Sequence, residues 1–118
     1  MHELSVCRAL LDQVMAVAAQ HDAHRVESIT LCIGPLSGVE PALLRTVYPI
    51  ASTGTPADGA ILNIQSPPLR VRCDQCGAET EATPARLICG ACGDWRTRLI
   101  SGDELLLTSV ELRPHEQP

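Results

Sequence analysis

Two matching stretches, Cys73-Asp74-Gln75-Cys76-Gly77 and Cys89-Gly90-Ala91-Cys92-Gly93, decide how this chain of 118 residues folds. Each has two thiols separated by two residues and followed by a glycine, and 12 residues separate the two pairs. Two thiolates on a tight turn form half of a tetrahedral site, and a second such turn can complete it with Zn–S distances of about 2.3 Å. We therefore predict a structural zinc site with the ligands Cys73, Cys76, Cys89 and Cys92.

A thiol redox protein is one alternative explanation of these cysteine pairs. A redox C-x-x-C pair ordinarily stands alone at the start of a helix, whereas this chain has two matched pairs. The segment around them contains few bulky apolar side chains, so metal binding would supply much of its folding free energy. A redox protein would instead form reversible disulfides and hold little zinc at neutral pH.

The composition limits the class of protein. The chain is 45% hydrophobic and has 9 basic and 14 acidic residues, with a formal net charge of −5. No apolar stretch approaches the roughly 20 residues of a membrane span. Glu3, Arg8 and Asp12 interrupt the apolar beginning of the chain, which argues against a signal peptide. We therefore expect a cytoplasmic protein with no membrane partner, in a reducing compartment that keeps thiols available for metal.

A zinc ribbon that binds nucleic acid is a second alternative. Residues 67–102 contain five arginines and four acidic side chains, and four thiolates with one Zn²⁺ bring the net charge of this segment to −1. Phosphate binding requires clustered basic charge, so we expect no nucleic-acid partner. A salt-dependent complex with an oligonucleotide would support this alternative.

Hydrophobic periodicity predicts the elements outside the cysteine segment. Apolar residues recur every three or four positions over 3–20, which indicates an amphipathic helix. Alternation over 25–33 indicates a strand. Further strands are expected at 60–65 and 104–112, one before and one after the cysteine segment, and these two could pair with each other.

A second helix is predicted between the first two strands. Ser37 and Glu40 have the spacing of a capping box, in which each side chain bonds the backbone of the other. The helix would run through Tyr48, with Pro41 tolerated in its first turn. Pro49 is expected to help stop it, because proline cannot donate the next hydrogen bond.

The predicted fold class is therefore α+β, a small sheet with two helices that carries an inserted zinc-ribbon-like module. The expected boundaries are 1–66 plus 103–113 for the α+β domain, 67–102 for the zinc module and 114–118 for a flexible tail. Cys7 and Cys32 fall on apolar faces and are expected to be small buried hydrophobic side chains.

The chain begins Met1-His2-Glu3, directly before the first helix. A histidine at position 2 can offer the terminal amine, its own backbone nitrogen and its imidazole to one ion. Nitrogen donors in a plane suit Ni²⁺ or Cu²⁺ better than tetrahedral Zn²⁺. The remaining planar position would go to the Glu3 backbone or to an incoming ligand. The simpler alternative is a surface histidine that binds nothing.

Together these features resemble the HypA/HybF family of nickel-insertion accessory proteins for [NiFe]-hydrogenases. The resemblance covers essentially the whole chain, and the matching features, in order, are Met1-His2-Glu3, Ile33-Gly34, Ser37-x-Val39-Glu40, Gly54-Thr55-Pro56 and the paired cysteine motifs. It implies that nickel binds at His2, with Glu3 and backbone nitrogens near Met1. It also implies that a carboxylate at Glu40 is associated with the nickel and that the four cysteines bind zinc.

The resemblance further implies a metallochaperone that carries Ni(II) as transient cargo. It would deliver nickel to the hydrogenase large subunit together with a maturation GTPase, and some members of the family also serve urease. The sequence contains no Ser/His/Asp order, glycine-rich phosphate loop or paired acid motif, so we expect no enzymatic activity. We expect a monomer or a weak homodimer. The alternative function is that of a zinc-ribbon interaction or nucleic-acid-binding module without nickel transfer.

Overall fold

The computed structural model describes residues 2–113, so Met1 and the predicted tail at 114–118 lie outside the described residues. In chain order the elements are α1 (His2–Gln20), β1 (Arg25–Ile33), α2 (Pro41–Ser52), β2 (Ile61–Gln65), β3 (Arg70–Cys73), β4 (Glu79–Glu81), β5 (Thr97–Ser101) and β6 (Leu105–Arg113). Two helices and two small sheets confirm the predicted α+β class. Within residues 2–113, no helix has both the length and the apolar character that crossing a bilayer requires.

The order of the strands differs from the expected pairing. We expected the strands before and after the cysteine segment, β2 and β6, to pair directly, but the sheet has the order β2-β1-β6. Strand β1 is the most buried of the three and therefore takes the central place, where both of its edges find hydrogen-bond partners. The second sheet has the order β4-β3-β5, with both pairs antiparallel.

Helix α2 begins at Pro41, so the predicted capping box between Ser37 and Glu40 is wrong. Gly38 has a φ of +81°, a left-handed conformation that a right-handed helix cannot include. Pro41 lies in the first turn, where its fixed φ suits a helix and its missing N–H has no intrahelical acceptor. Proline also forces the preceding residue to be extended, and Glu40 has φ −89° and ψ 114°. Glu40 is therefore the N-cap residue, without a capping bond from its side chain.

Pro49 does not end α2, which continues to Ser52. Because Pro49 lies in the last turn, its missing N–H removes a hydrogen bond close to the point where the helix would end anyway. The hydroxyl of Thr53 donates to the Pro49 carbonyl at 2.7 Å, and the Thr53 amide donates to the Ile50 carbonyl at 3.4 Å. These bonds satisfy the carbonyls of Pro49 and Ile50 in the last turn of the helix.

The described residues form two compact units. The first comprises 2–31, 39–64 and 106–113. It contains both helices, which pack against each other, and its core is aliphatic. The buried hydrophobic residues of this unit are Cys7, Leu10, Leu11, Val14, Ala18, Val26, Ile29, Leu31, Val39, Leu44, Val47, Tyr48 and Ala57. The Tyr48 hydroxyl donates to the Ala57 carbonyl at 2.7 Å, so this buried polar group has a partner.

The second unit comprises 32–38 and 65–105. Residues 32–38 belong to it because the Gly34 amide donates to the Glu104 carbonyl at 2.8 Å and the Leu36 amide donates to the Gly102 carbonyl at 2.7 Å. The buried hydrophobic residues of this unit are few: Ile33, Leu69, Val71, Cys73 and Cys89. The hydrophobic core of this unit is therefore much smaller than that of the first unit.

Candidate metal centre

The two cysteine turns have the same backbone geometry. Gly77 and Gly93, which follow the second cysteine of each pair, have φ values of +75° and +77°. Their amides donate to the carbonyls of Cys73 and Cys89 at 3.1 and 2.9 Å, closing the two turns. A side chain would strain the backbone at this φ, which explains why glycine follows each pair. The repeated glycine therefore allows each segment to close a tight turn around its pair of thiols.

The two turns bring the four thiols together. The Sγ atoms of Cys73, Cys76, Cys89 and Cys92 all lie within 4.8 Å of one another. Across the turns, Cys73 and Cys92 are 3.6 Å apart and Cys76 and Cys89 are 3.5 Å apart. Four sulfurs at about 2.3 Å from a tetrahedral zinc ion are about 3.8 Å apart, so the spacing fits Zn²⁺. All four are free cysteines, and the distances far exceed the ~2.05 Å of a disulfide.

Backbone amides converge on one sulfur of each turn. The amides of Gln75 and Cys76 donate to Cys73 Sγ at 3.3 and 3.4 Å. In the second turn, the amides of Ala91 and Cys92 donate to the Sγ of Cys89, each at 3.3 Å. Hydrogen bonds of this kind stabilise a thiolate more than a thiol. The turns are thus built to hold negatively charged sulfur, which is the form that binds metal.

The same amides change the acidity of the thiols. Hydrogen bonds from Cys92 first and then from Ala91 lower the pKa of the Cys89 thiol to about 6. The amides of Cys76 and Gln75 likewise lower the pKa of Cys73 below its ordinary value. At neutral pH the Cys89 thiol is therefore readily deprotonated, and the Cys73 thiol ionises more easily than an ordinary cysteine.

Asp94 and Arg96 brace the second turn. The Asp94 carboxylate accepts from the Arg96 amide at 2.8 Å and from its guanidinium at 3.0 and 2.9 Å. The Asp94 carbonyl accepts from the Cys89 amide at 2.9 Å. The bonds from Arg96 lower the pKa of the Asp94 carboxyl to about 2. This pair was not predicted from the sequence, although Asp94 directly follows the second C-x-x-C-G and precedes Arg96 by two residues.

The predicted nickel residues lie in the first unit. His2 is exposed at the first position of α1, Glu3 is half-buried and Glu40 is exposed. The Glu40 amide donates to the Glu3 carboxylate, with 3.4 Å between the nitrogen and Oε2. Among the described residues, no group of three or more His, Cys, Asp or Glu side chains gathers here, and the four-cysteine cluster is the only such group. Met1, the other predicted contributor, lies outside the described residues.

The two other cysteines do not belong to the metal centre. Cys7 is 3% exposed, and burial raises the pKa of its thiol. Cys32 is only half-buried. Cys7 therefore packs as the small hydrophobic side chain that was expected, whereas Cys32 is less buried than expected.

Comparison with known proteins assigns a family to this chain. The family model described as hydrogenase/urease nickel incorporation, metallochaperone, hypA matches residues 1–112. The chain belongs to the HypA family. Hydrogenase maturation factor HypA of Nitrosospira multiformis is 49% identical over 112 residues, which are 95% of this chain and 97% of that protein. The HypA of Thermomicrobium roseum is 40% identical over 129 residues, covering 96% of this chain and 98% of that protein.

Solved structures share the fold. The solution structure of the Ni metallochaperone HypA from Helicobacter pylori has a TM-score of 0.66 at 22% identity, covering 96% of this chain and 98% of that one. A second structure, the solution structure of HypA protein, has a TM-score of 0.71 at 23% identity and covers 98% of both chains. The HypA family consists of maturation factors and metallochaperones, not of enzymes, so the prediction of a non-enzyme is confirmed.

Proposed function

We propose that this protein is a nickel metallochaperone that binds Ni(II) at its N-terminus. It delivers the ion to the large subunit of a [NiFe]-hydrogenase, together with a maturation GTPase, in the cytoplasm. The observation that carries this proposal is the HypA match over residues 1–112, which includes His2 and Glu3 at the start of α1. The contact between Glu3 and Glu40 adds a local reason to expect a cation there.

Backbone nitrogens at the start of α1 are the other proposed donors. The amides of His2 and Glu3 lie in the first turn, where backbone N–H groups have no acceptor within the helix. Nickel can therefore take these nitrogens without breaking a helical hydrogen bond. With the His2 imidazole and nitrogens near Met1, they supply the planar nitrogen set that Ni(II) favours. A site made mainly of backbone nitrogens agrees with the lack of a three-side-chain cluster at the described part of this end.

The carboxylates of Glu3 and Glu40 would offset the electrostatic cost of holding a cation at the beginning of a helix. The N-terminus of a helix carries a partial positive charge, which disfavours a bound cation. The Glu3 carboxylate reaches the amide of Glu40 at the N-cap of α2, so one acidic side chain comes to the beginning of both helices. Because Glu40 makes no side-chain capping bond, its carboxylate is available to face the ion. We assign it as the nickel-associated carboxylate.

For the four-cysteine cluster we propose structural Zn²⁺. The sulfur spacing, the amide bonds to Cys73 and Cys89, and the small core of the second unit support this assignment. When bound, zinc cross-links the two turns and supplies folding free energy. We further propose that 1–66 plus 103–113 serve as the nickel-binding domain, with 67–102 as the zinc module.

Nickel titration tests the N-terminal site. The protein is prepared with Met1 as its first residue, because an added tag would convert the terminal amine into an amide. We expect one Ni(II) per chain, with a visible absorption band typical of planar nitrogen coordination. His2→Ala should abolish this stoichiometric binding while zinc content and helix content stay unchanged, because His2 is exposed and contributes nothing to the core.

His21→Ala is the matched control, since His21 is another exposed histidine immediately after α1. Its imidazole Nδ1 lies 3.0 Å from the Val17 carbonyl oxygen, one turn back along the helix. This variant should bind nickel as the unmodified protein does. Unchanged nickel affinity in His2→Ala would refute the N-terminal site.

A nickel-transfer experiment tests whether the protein delivers its ion to the large subunit. The nickel-loaded protein is mixed with the nickel-free large subunit, with and without the maturation GTPase and GTP. Radioactive nickel should move to the large subunit, and His2→Ala should transfer none. Equal transfer from free nickel at the same concentration would contradict a delivery role.

A further inference from the structure

Three arginines share one face of the β4-β3-β5 sheet in the second unit. Arg70 and Arg72 alternate along β3 with the buried residues Val71 and Cys73, so the two arginines lie on the opposite face. The antiparallel register places Arg98 of β5 directly across from Arg72. This arrangement puts two guanidinium groups side by side on neighbouring strands.

The pairing of Arg72 with Arg98 is unfavourable within the protein itself, because like charges directly across a sheet repel. The charge of Arg98 is partly compensated by Asp74, with 3.0 Å between Arg98 Nε and Asp74 Oδ1, but the Arg98 side chain is still 81% exposed. The Arg72 side chain is exposed and makes no hydrogen bond or ion pair within residues 2–113. On the β5 side, the unpaired guanidinium of Arg72 thus lies next to a second one that is largely open to solvent, while its neighbour on the β4 side is Glu79.

The two arginines also line a surface depression. Its other lining residues are Cys73, Asp74 and Gly77 of the first cysteine turn. The depression is therefore built on a backbone that the closed turn holds in place. A concave surface with two guanidinium groups on a rigid support can accept carboxylates in two-pronged hydrogen bonds.

We propose that this surface, lined by Arg72 and Arg98, docks an acidic segment of a partner protein. Charge complementarity favours an acidic segment, because the guanidinium groups of this surface bind carboxylates, which acidic side chains supply. A nucleic acid fits less well. The register places Glu79 of β4 across from Arg72 and Glu81 across from Arg70, so acidic side chains interrupt the basic face on the β4 side. This surface is separate from the residues proposed to bind nickel.

The test uses the zinc-loaded full chain and two probes, hexaglutamate peptide and a single-stranded oligothymidine. At low salt, hexaglutamate should shift the NMR signals of β3 and β5 and of the Asp74–Gly77 turn. The double variant R72E/R98E should weaken peptide binding by about tenfold or more, with higher salt weakening the unmodified complex in the same direction. R86E is the matched control, because Arg86 is also exposed in this unit but is outside the sheet. It should change binding by less than about twofold.

Zinc content and nickel uptake are measured on every variant and should not change, so failure here is distinguishable from failure of the nickel proposal. Three results would overturn the inference. One is absence of hexaglutamate binding at low salt, and the second is an equal loss in R86E and R72E/R98E. The third is tighter binding of oligothymidine than of hexaglutamate on the same strands, which would assign the surface to nucleic acid.

Discussion

Removal of zinc should unfold the second unit while the first unit keeps its structure. The perturbation is a strong chelator added to the zinc-loaded protein, or the variant Cys89→Ser. Cys89 is 2% exposed, and its sulfur accepts two amide hydrogen bonds as well as being a proposed zinc ligand. Both perturbations remove the cross-link between the two cysteine turns.

The buried side chains of each unit indicate the size of the effect. Outside its cysteines, the second unit buries only three aliphatic side chains, those of Ile33, Leu69 and Val71. Full burial of one such side chain contributes about 1.5–3 kcal/mol, so the three contribute about 5–9 kcal/mol. A structural zinc site of this kind contributes about 10–16 kcal/mol at neutral pH. Zinc binding would therefore contribute more free energy than apolar burial does, and without zinc we expect residues 65–105 to lose their fixed structure.

Two-dimensional NMR of labelled protein provides the assay, because it reports on each residue. After chelation, amide signals from 65–105 should collapse into the narrow range of an unfolded chain. Signals from α1 and α2 should stay dispersed, because those helices share an aliphatic core that contains none of the four clustered cysteines. Cys32→Ser is the control, because Cys32 is half-buried and outside the cluster, and it should keep full zinc content.

Dispersed signals from 65–105 in a sample shown to be free of metal would refute this reasoning. That result would mean that the small apolar core is sufficient and that the cysteine cluster contributes little to folding.

Two further predictions concern stability. Leu44 in α2 is 1% exposed, and Leu44→Ala should lower the free energy of unfolding, measured by urea denaturation, by about 2–5 kcal/mol. The neighbouring Leu43 is 50% exposed, and Leu43→Ala should change the free energy of unfolding far less. A loss of equal size in both variants would contradict the assigned core face of α2. Asp94→Asn should lower the thermal stability of the zinc-loaded protein, because it removes the charge that Arg96 binds. The pKa of Asp94 is about 2 in the folded protein against about 3.9 in an unfolded chain, so its contribution is complete above about pH 5 and is lost progressively as the pH falls from there through about 2. The melting temperature of Asp94→Asn should therefore differ from that of the unmodified protein by the same amount at pH 5.5 and at pH 8. If the two proteins melted at the same temperature at one of these pH values, the ion pair could not be the cause of the difference.

The metal cluster could be predicted because its geometry is local. A C-x-x-C-G turn is closed by bonds within five residues, and Gly77 and Gly93 take the left-handed conformation that the end of such a turn requires. Two turns of the same form, separated by a short segment, then have few ways to meet. The bounds of α1 and β1 were predicted for a related reason, since continuous periodicity over many residues indicates both the element and its buried face.

The beginning of α2 shows where a local rule misled. Ser37 and Glu40 have the spacing of a capping box, but Gly38 is left-handed and Pro41 provides the actual first turn. Leu36, next to Ser37, donates its amide to the carbonyl of Gly102, a residue distant in sequence. The sequence of residues 34–41 does not indicate this hydrogen bond, so the conformation of the loop could not be predicted from its own residues.

The sequence alone determined which residues could bind metal, the types of both helices and of strands β1, β2 and β6, and the absence of an enzyme-like motif, because these depend on residue chemistry and on short-range spacing. Only the tertiary structure decided the place of β1 between β2 and β6, the contact of Glu3 with the amide of Glu40, and the alignment of Arg72 with Arg98. Each of these joins segments far apart in the chain. Their register follows from how whole elements pack, and that packing is a property of the complete fold rather than of any one stretch of residues.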